Sequence, residues 1–243
     1  MIDVRFLAAG ESALIVELGS AISPEINSRV MSLYDAIGRS RLKGVIECVP
    51  AFCSLMVCYD CTVINYNSLV ESIREMLGNS DSSSAVKKRV IYIPVCYGDE
   101  FGEDLEEVAA YTGLSADEVI KRHSAPEYLI YMLGFLPGFA YLGGMDSKIV
   151  TPRLKNPRTK IPAGSVGIGG EQTGIYPLAS PGGWRLIGRT PVRTYDPARE
   201  NPIIYSAGDY IRFIPVDKEE YYSIKERVKK REYECEISEV NVK

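Results

Sequence analysis

Histidine occurs once in the 243 residues, at His123, and tryptophan once, at Trp184. A single imidazole cannot build a multi-histidine metal site, and no His/Cys/Asp cluster has zinc-ligand spacing, so no metal site is expected. A Ser–His–Asp triad would have to form around that one residue, and Ser165 and Ser180 have no base beside them in sequence. The Gly-x-Ser-x-Gly nucleophile elbow is missing too. So are long apolar runs: the longest, Tyr128 to Phe135, is interrupted by Gly134 and falls far short of the ~20 residues a membrane span needs. The N-terminus lacks the basic and apolar regions of a signal peptide, so a cytoplasmic protein with no membrane segment is expected. Neither sign of charge dominates, with 28 Lys and Arg against 32 Asp and Glu. No basic patch stands out, which argues against nucleic acid as a partner. The one dense basic run, Lys229-Lys230-Arg231, lies among glutamates and reads as a solvated helix face.

Six cysteines are present. Cys53, Cys58 and Cys61 have the C-x4-C-x2-C spacing of an iron–sulfur loop. Cys58, however, ends the apolar run Leu55-Met-Val-Cys-Tyr59, and Cys48 sits in Val45-Ile-Glu-Cys-Val49. Both runs read as strands, in which a free thiol packs as a small hydrophobe. Hydrophobic content of 46% and charged content of 25% are ordinary globular values, enough for one large or two modest domains.

The first 80 residues predict an α+β two-layer domain of order ββαββα. Residues 3–9 and 12–18 form a hairpin around Gly10-Glu11. Ser23-Pro24 caps a helix with an apolar stripe at Ile26, Val30, Leu33 and Ile37, stopped by Gly38. Strands follow at 45–49 and 54–59, then a helix capped by Asn67 and closed by Gly78. A ferredoxin-like strand order is the alternative. The polar run Gly78 to Ser84 reads as a linker. Residues 85–243 predict a mostly β barrel with a helical insert at about 103–123 and a C-terminal helix from Glu219 to Lys230. Strand candidates are 89–95, 127–133, 166–169, 184–187, 192–195, 203–205 and 210–214.

Function is to be sought between Gly134 and Pro191, where glycine and proline recur every few residues among short apolar runs. The run Gly164-Ser-Val-Gly-Ile-Gly-Gly170 fails as a P-loop and as a dinucleotide fingerprint, having neither Gly-Lys-Ser/Thr nor a third glycine opening a helix. It reads as glycine turns in β-structure whose N–H groups can form an anion-binding nest. Arg153 and Arg158, in two Pro-Arg pairs, and Arg189 can each grip a carboxylate or phosphate bidentately. Solvated surface charge is the alternative. His123 is a candidate acid/base or a helix-terminal partner of the dipole. Trp184 is a core anchor or a hydrogen-bond donor at a pocket rim.

The linked segments Gly134-Phe-Leu-Pro-Gly-Phe-Ala-Tyr-Leu142, Pro152-Arg-Leu-Lys-Asn-Pro-Arg158, Ala163-Gly-Ser-Val-Gly-Ile-Gly-Gly170, Gln172-Thr-Gly-Ile-Tyr-Pro177, Ser180-Pro-Gly-Gly-Trp184 and Gly188-Arg-Thr-Pro191 resemble the KipI family. That family is also known as the B subunit of 5-oxoprolinase and as allophanate hydrolase subunit 1. Upstream, Arg5-Phe-Leu-Ala-Ala-Gly-Glu-Ser-Ala-Leu14 and Tyr92-Ile-Pro-Val-Cys-Tyr-Gly98 fit as well; Glu11 stands where the family has Asp. The resemblance implies a cyclophilin-like barrel. It also implies a member of a 5-oxoprolinase complex. There the chain would work with a homologous, KipA-like C subunit and with an A subunit to hydrolyse 5-oxoproline to glutamate. The complex would use ATP, accompanied by Mg2+ whose site is not located in this chain. Two other implied roles are inhibition of a sporulation histidine kinase, through an apolar patch near Phe135, Phe139 and Tyr141, and carboxyl transfer with a biotin-bearing partner. Opening a stable lactam requires activation of its carbonyl oxygen, and hence cations and N–H donors. The candidate substrate- and anion-binding residues are therefore Arg153, Arg158, Ser165, Gly170, Gln172, Thr173, Tyr176, Ser180, Gly182, Gly183, Arg189 and His123.

Overall fold

The structure is a computed structural model and describes residues 4–78 and 86–242. Most of the expected linker, 79–84, lies outside the described residues. The chain divides into two compact units, Met1–Val86 and Lys87–Lys243.

The first unit runs β1 (Arg5–Ala8), β2 (Ala13–Glu17), α1 (Pro24–Ser40), β3 (Val45–Pro50), β4 (Ser54–Tyr59) and α2 (Tyr66–Gly78). Its sheet has the order β1-β2-β4-β3, with every neighbouring pair antiparallel. Alternation along β2 and β4 turns Leu14, Val16, Leu55 and Val57 into a core shared with Val30, Leu33 and Ile37 of α1 and Leu69 and Ile73 of α2. Ser23 Oγ accepts from the Ile26 N–H at 3.2 Å, capping α1 where Pro24 enters it. Gly38 does not stop this helix. Burial of Ile37 offsets the ~1 kcal/mol a helical glycine costs, and the chain turns out only at Arg41, left-handed at φ 48°. The second cap is Asn65, not Asn67: Asn65 Oδ1 accepts from the Ser68 N–H at 2.9 Å.

The second unit contains β5 (Val86–Tyr97), α3 (Leu105–Thr112), α4 (Ala116–Ser124), β6 (Tyr128–Leu133), β7 (Ala140–Gly143), β8 (Arg158–Ile161), β9 (Ser165–Gly169), β10 (Gln172–Ile175), β11 (Ser180–Gly182), β12 (Arg185–Arg189), β13 (Tyr210–Pro215), α5 (Lys218–Lys230) and β14 (Ile237–Val242). The order β12-β9-β10-β7-β6-β13-β5 closes on itself through β12–β5 pairing at Gly188–Tyr97 and Arg189–Cys96, making a seven-stranded barrel. Only β5–β13 among these pairs is parallel. β14 extends the sheet beside β5, and β8 pairs with β11 apart from the barrel. Ile91, Ile93, Ile130, Leu142, Val166, Ile168, Ile175 and Phe213 fill the interior. The strands expected at 192–195 and 203–205 reduce to one bridge, Tyr195–Ile203. Pro191, Pro197 and Pro202 deprive that stretch of ladder donors. No helix of the described residues is long and apolar enough to cross a membrane.

Candidate functional site

On β9 the inward Val166 and Ile168 alternate with Gly167 and Gly169, and Gly174 of β10 lies opposite Gly167. The outer face of these strands therefore carries no side chains where the glycines sit, and the Trp184 indole lies there. A Cβ built on Gly169 would stand 2.3 Å from Trp184 Nε1, one on Gly174 3.1 Å from Cζ3, and one on Gly167 3.3 Å from Cβ. This corrects the anion-nest expectation. The N–H groups at the ends of the run are already engaged: Gly164 donates to Tyr176 O at 2.7 Å and Gly170 to Thr151 O at 2.8 Å. The glycines are spaced to seat an indole, not a phosphate.

Around that indole stands an aromatic cluster. Phe139 meets Tyr141, Tyr176 and Trp184 edge-on, with centroids 5.1, 5.5 and 5.5 Å away. Ile161 and Leu186 complete the cluster. At its edge Phe135 is 64% exposed and holds φ 65°, a conformation L-residues seldom adopt. Arg153 is exposed, and its guanidinium lies 5.8 Å from the Trp184 ring centroid, within cation–π range. A Cβ on Gly182 would come within 2.6 Å of the Tyr176 hydroxyl. Burial raises the Tyr176 pKa above the usual phenol value, against the lowering pull of the Trp184 backbone and of the Arg153 and Arg158 charges. The phenol thus stays neutral and keeps a proton to donate. Gly183 O accepts from Leu154 N at 2.7 Å and ties the Arg153 loop to this surface. Arg153, Tyr176, Gly182, Gly183 and Trp184 are accordingly brought together.

Arg158 is committed elsewhere in part. Its Nη2 donates to Asp104 Oδ1 at 2.7 Å and its Nε pairs with Glu103 at 3.0 Å, while Nη1 is buried without a partner among the described residues. Asp104, buried, also accepts the Leu186 N–H at 2.6 Å. This carboxylate is the functional-looking residue that sequence reasoning missed; nothing in its local run, Gly102-Glu-Asp-Leu105, singles it out from neighbouring acids.

Seven candidates lie outside the group. Arg189 belongs to another cluster, donating to Glu100 O at 3.3 Å and acting on Tyr221. His123 and Thr173 are wholly buried. His123 does lie in the last turn of α4, but its ring turns inward: it stacks on Phe213 at 4.6 Å and bonds Tyr97 and Thr173. Burial drives its pKa down to about 3. Ser165 and Ser180 are buried, each with an Oγ lacking a partner among the described residues; Gln172 is half-buried opposite Gly169; Gly170 makes a turn at φ 69°. The surface depression lined by Glu118, Lys121, Arg122, Ala125, Pro126, Gly144 and Asp146 includes none of the candidates. Among the described residues no group of three or more His, Cys, Asp or Glu is placed to hold a metal.

Comparison with known proteins agrees with the linked motifs. The B subunit of 5-oxoprolinase from Bacillus subtilis (strain 168) is 43% identical over 227 residues, covering 89% of this chain and 95% of that protein. The crystal structure of TTHA0988 is 36% identical with a TM-score of 0.75 over 88% of this chain; this chain spans only 40% of it. The urea amidolyase of K. lactis shares the fold, with a TM-score of 0.80 at 21% identity, over 98% of this chain and 16% of that one. Residues 4–205 match the family described as carboxyltransferase domain, subdomain C and D, and the chain belongs to that family.

Proposed function

We propose that this chain is the B subunit of an ATP-dependent 5-oxoprolinase, a non-autonomous component that hydrolyses 5-oxoproline to glutamate together with the A and C subunits. The observation that carries the reading is the similarity to a 5-oxoprolinase B subunit along 95% of that protein's length. The barrel, read as cyclophilin-like, contributes a surface rather than a prolyl isomerase site, since fold alone does not fix activity.

The geometry suits an anionic lactam. Arg153 offers an exposed guanidinium for the carboxylate of 5-oxoproline, the Tyr176 hydroxyl a neutral donor, and Trp184 a flat apolar wall. Arg158 Nη1, buried in this structure, has no partner among the described residues. Cations and donors aimed at the lactam oxygen stabilise the charge that grows there as the amide is activated. The glycine run does not fit a nucleotide phosphate, because Trp184 fills its outer face. The run therefore lends no support to placing ATP or its Mg2+ on this chain. Purified alone, the chain should show no 5-oxoproline-dependent ATP hydrolysis, and adding the A and C subunits should restore it. Turnover by the lone chain would refute this reading.

A further inference from the structure

The buried polar contacts beneath the Trp184 seat form a single directed chain. Tyr97 Oη lies 2.8 Å from His123 Nδ1, and His123 Nε2 lies 2.7 Å from Thr173 Oγ1. Thr173 Oγ1 in turn lies 3.0 Å from the Gly167 carbonyl oxygen. A threonine hydroxyl has one proton and a carbonyl has none, so the contact with Gly167 requires Thr173 to donate there. Thr173 must then accept from His123, which fixes the proton on Nε2. His123 Nδ1 is left bare to accept from the Tyr97 hydroxyl. The opposite tautomer would make only two of these three bonds and would strand the phenol proton in the core.

The ring has no freedom to leave this chain. Phe213 stacks on one face, with 22° between the planes, and Tyr97 meets it edge-on at 5.7 Å. Tyr128 donates to the His123 backbone carbonyl at 2.7 Å. Gly167, at the other end, lies against the Trp184 Cβ, where a Cβ of its own would stand at 3.3 Å, while Gly169 and Gly174 meet the indole ring itself.

We infer that His123 is a positioning residue for the site: through Thr173 its Nε2–H holds β10 against the Gly167 peptide of β9 and so sets the seat of Trp184. The link to catalysis rests on the reading of the Arg153–Tyr176–Trp184 surface as the 5-oxoproline site. It assigns no proton transfer to the imidazole, which stays neutral and buried.

Trp184 is the sole tryptophan, so its fluorescence in the full chain reports the seat directly. Thr173→Val should shift the emission to longer wavelength and admit acrylamide, and Thr173→Ser should restore both. A glutamine amide nitrogen matches Nε2 and an asparagine oxygen matches Nδ1. His123→Gln should therefore keep the native Trp184 signal, and His123→Asn should lose it although both remove the ring. In the complex with the A and C subunits, Thr173→Val should raise KM for 5-oxoproline about tenfold, below the ~100-fold that a 1 Å misplacement costs. Imidazole 15N shifts of the unmutated chain give a check that needs no variant: Nε2 protonated and Nδ1 bare from pH 8 to pH 5. The opposite tautomer, or a native Trp184 signal in folded Thr173→Val, overturns the inference. A wild-type complex without 5-oxoprolinase activity would instead sink the functional reading and leave the fluorescence result standing.

Discussion

Trp184 and Gly169 are in contact so close that position 169 admits no side chain: a methyl there would stand 2.3 Å from the indole nitrogen. Backbone conformation does not impose this glycine. Gly170, by contrast, sits at φ 69° with open space around its missing Cβ. The two adjacent glycines therefore answer to different physics, and substitution separates them. Gly169→Ala should cost ~1–3 kcal/mol by overpacking and displace Trp184, seen as a changed emission spectrum. Gly170→Ala should cost ~1–2 kcal/mol of left-handed strain and leave the indole signal unchanged. Equal spectra for the two variants would mean that the indole does not rest on the glycine bed.

Asp104 is the joint between Arg158 and β12, holding a guanidinium nitrogen and the Leu186 N–H on separate oxygens. Asp104→Asn keeps one oxygen as an acceptor and turns the other into an amide that cannot face a cation. The expected loss is ~1–3 kcal/mol, the range for a buried hydrogen bond to a charged group, measured as a lower urea midpoint at unchanged slope. Arg158→Gln should lose less, because Asp104 can still be met by the Leu186 N–H and the Arg158 side chain is partly exposed. The reverse ranking would show that Arg158, not Asp104, organises this corner.

What the sequence made legible follows the local signals it carries. Ser23-Pro24 announced its helix because capping is written in adjacent residues, and the structure has the Ser23 hydroxyl accepting as a cap should. The strands at 172–175 and 158–161 were not legible, because each is four residues long, the first interrupted by Gly174 and the second closed in by Pro157 and Pro162. The motif residues Arg153, Tyr176, Gly182 and Trp184 do converge on one surface. Arg189 does not, because it lies at the far end of β12 from Trp184, near Glu100. Thr173 and His123 turned inward for a reason no local spacing reveals: His123 meets Tyr97, 26 residues away, and Thr173, 50 residues away, only in the folded barrel.

Burial of His123 makes stability depend on pH in a window that belongs to it alone. Its folded pKa is depressed to about 3 from the usual 6.5, so the unfolded chain takes up the proton first as pH falls. The contribution is therefore complete above pH 6.5, and is lost progressively as pH drops toward the folded value. Between pH 6.5 and 5 a single such group removes about 2 kcal/mol, whatever the depth of its folded pKa. Carboxylates titrate mostly below that interval, and no second histidine exists. Urea midpoints should fall accordingly from pH 7 to pH 5 in the wild-type chain. In His123→Gln the same interval should be flat. An equal slope in both would place the proton uptake elsewhere.

Arginine chemistry gives the sharpest test of where the substrate sits. Arg153 presents an exposed guanidinium over Trp184, beside the Tyr176 hydroxyl, whereas Arg189 faces Glu100. If the carboxylate of 5-oxoproline is held by Arg153, removing that cation forfeits a charge-assisted hydrogen bond of ~1.5–3 kcal/mol, or about 10- to 150-fold in kcat/KM. Arg153→Ala in the complex with the A and C subunits should show that loss mainly in KM, because a carboxylate remote from the reacting carbonyl is gripped alike in ground and transition states. Arg153→Lys should recover only part of it, since an ammonium keeps the charge but not the two-pronged geometry. Arg189→Ala should stay within about threefold of wild type, as expected of a cation that never meets the ligand. A large effect at 189 with none at 153 would move the binding surface to the opposite end of β12.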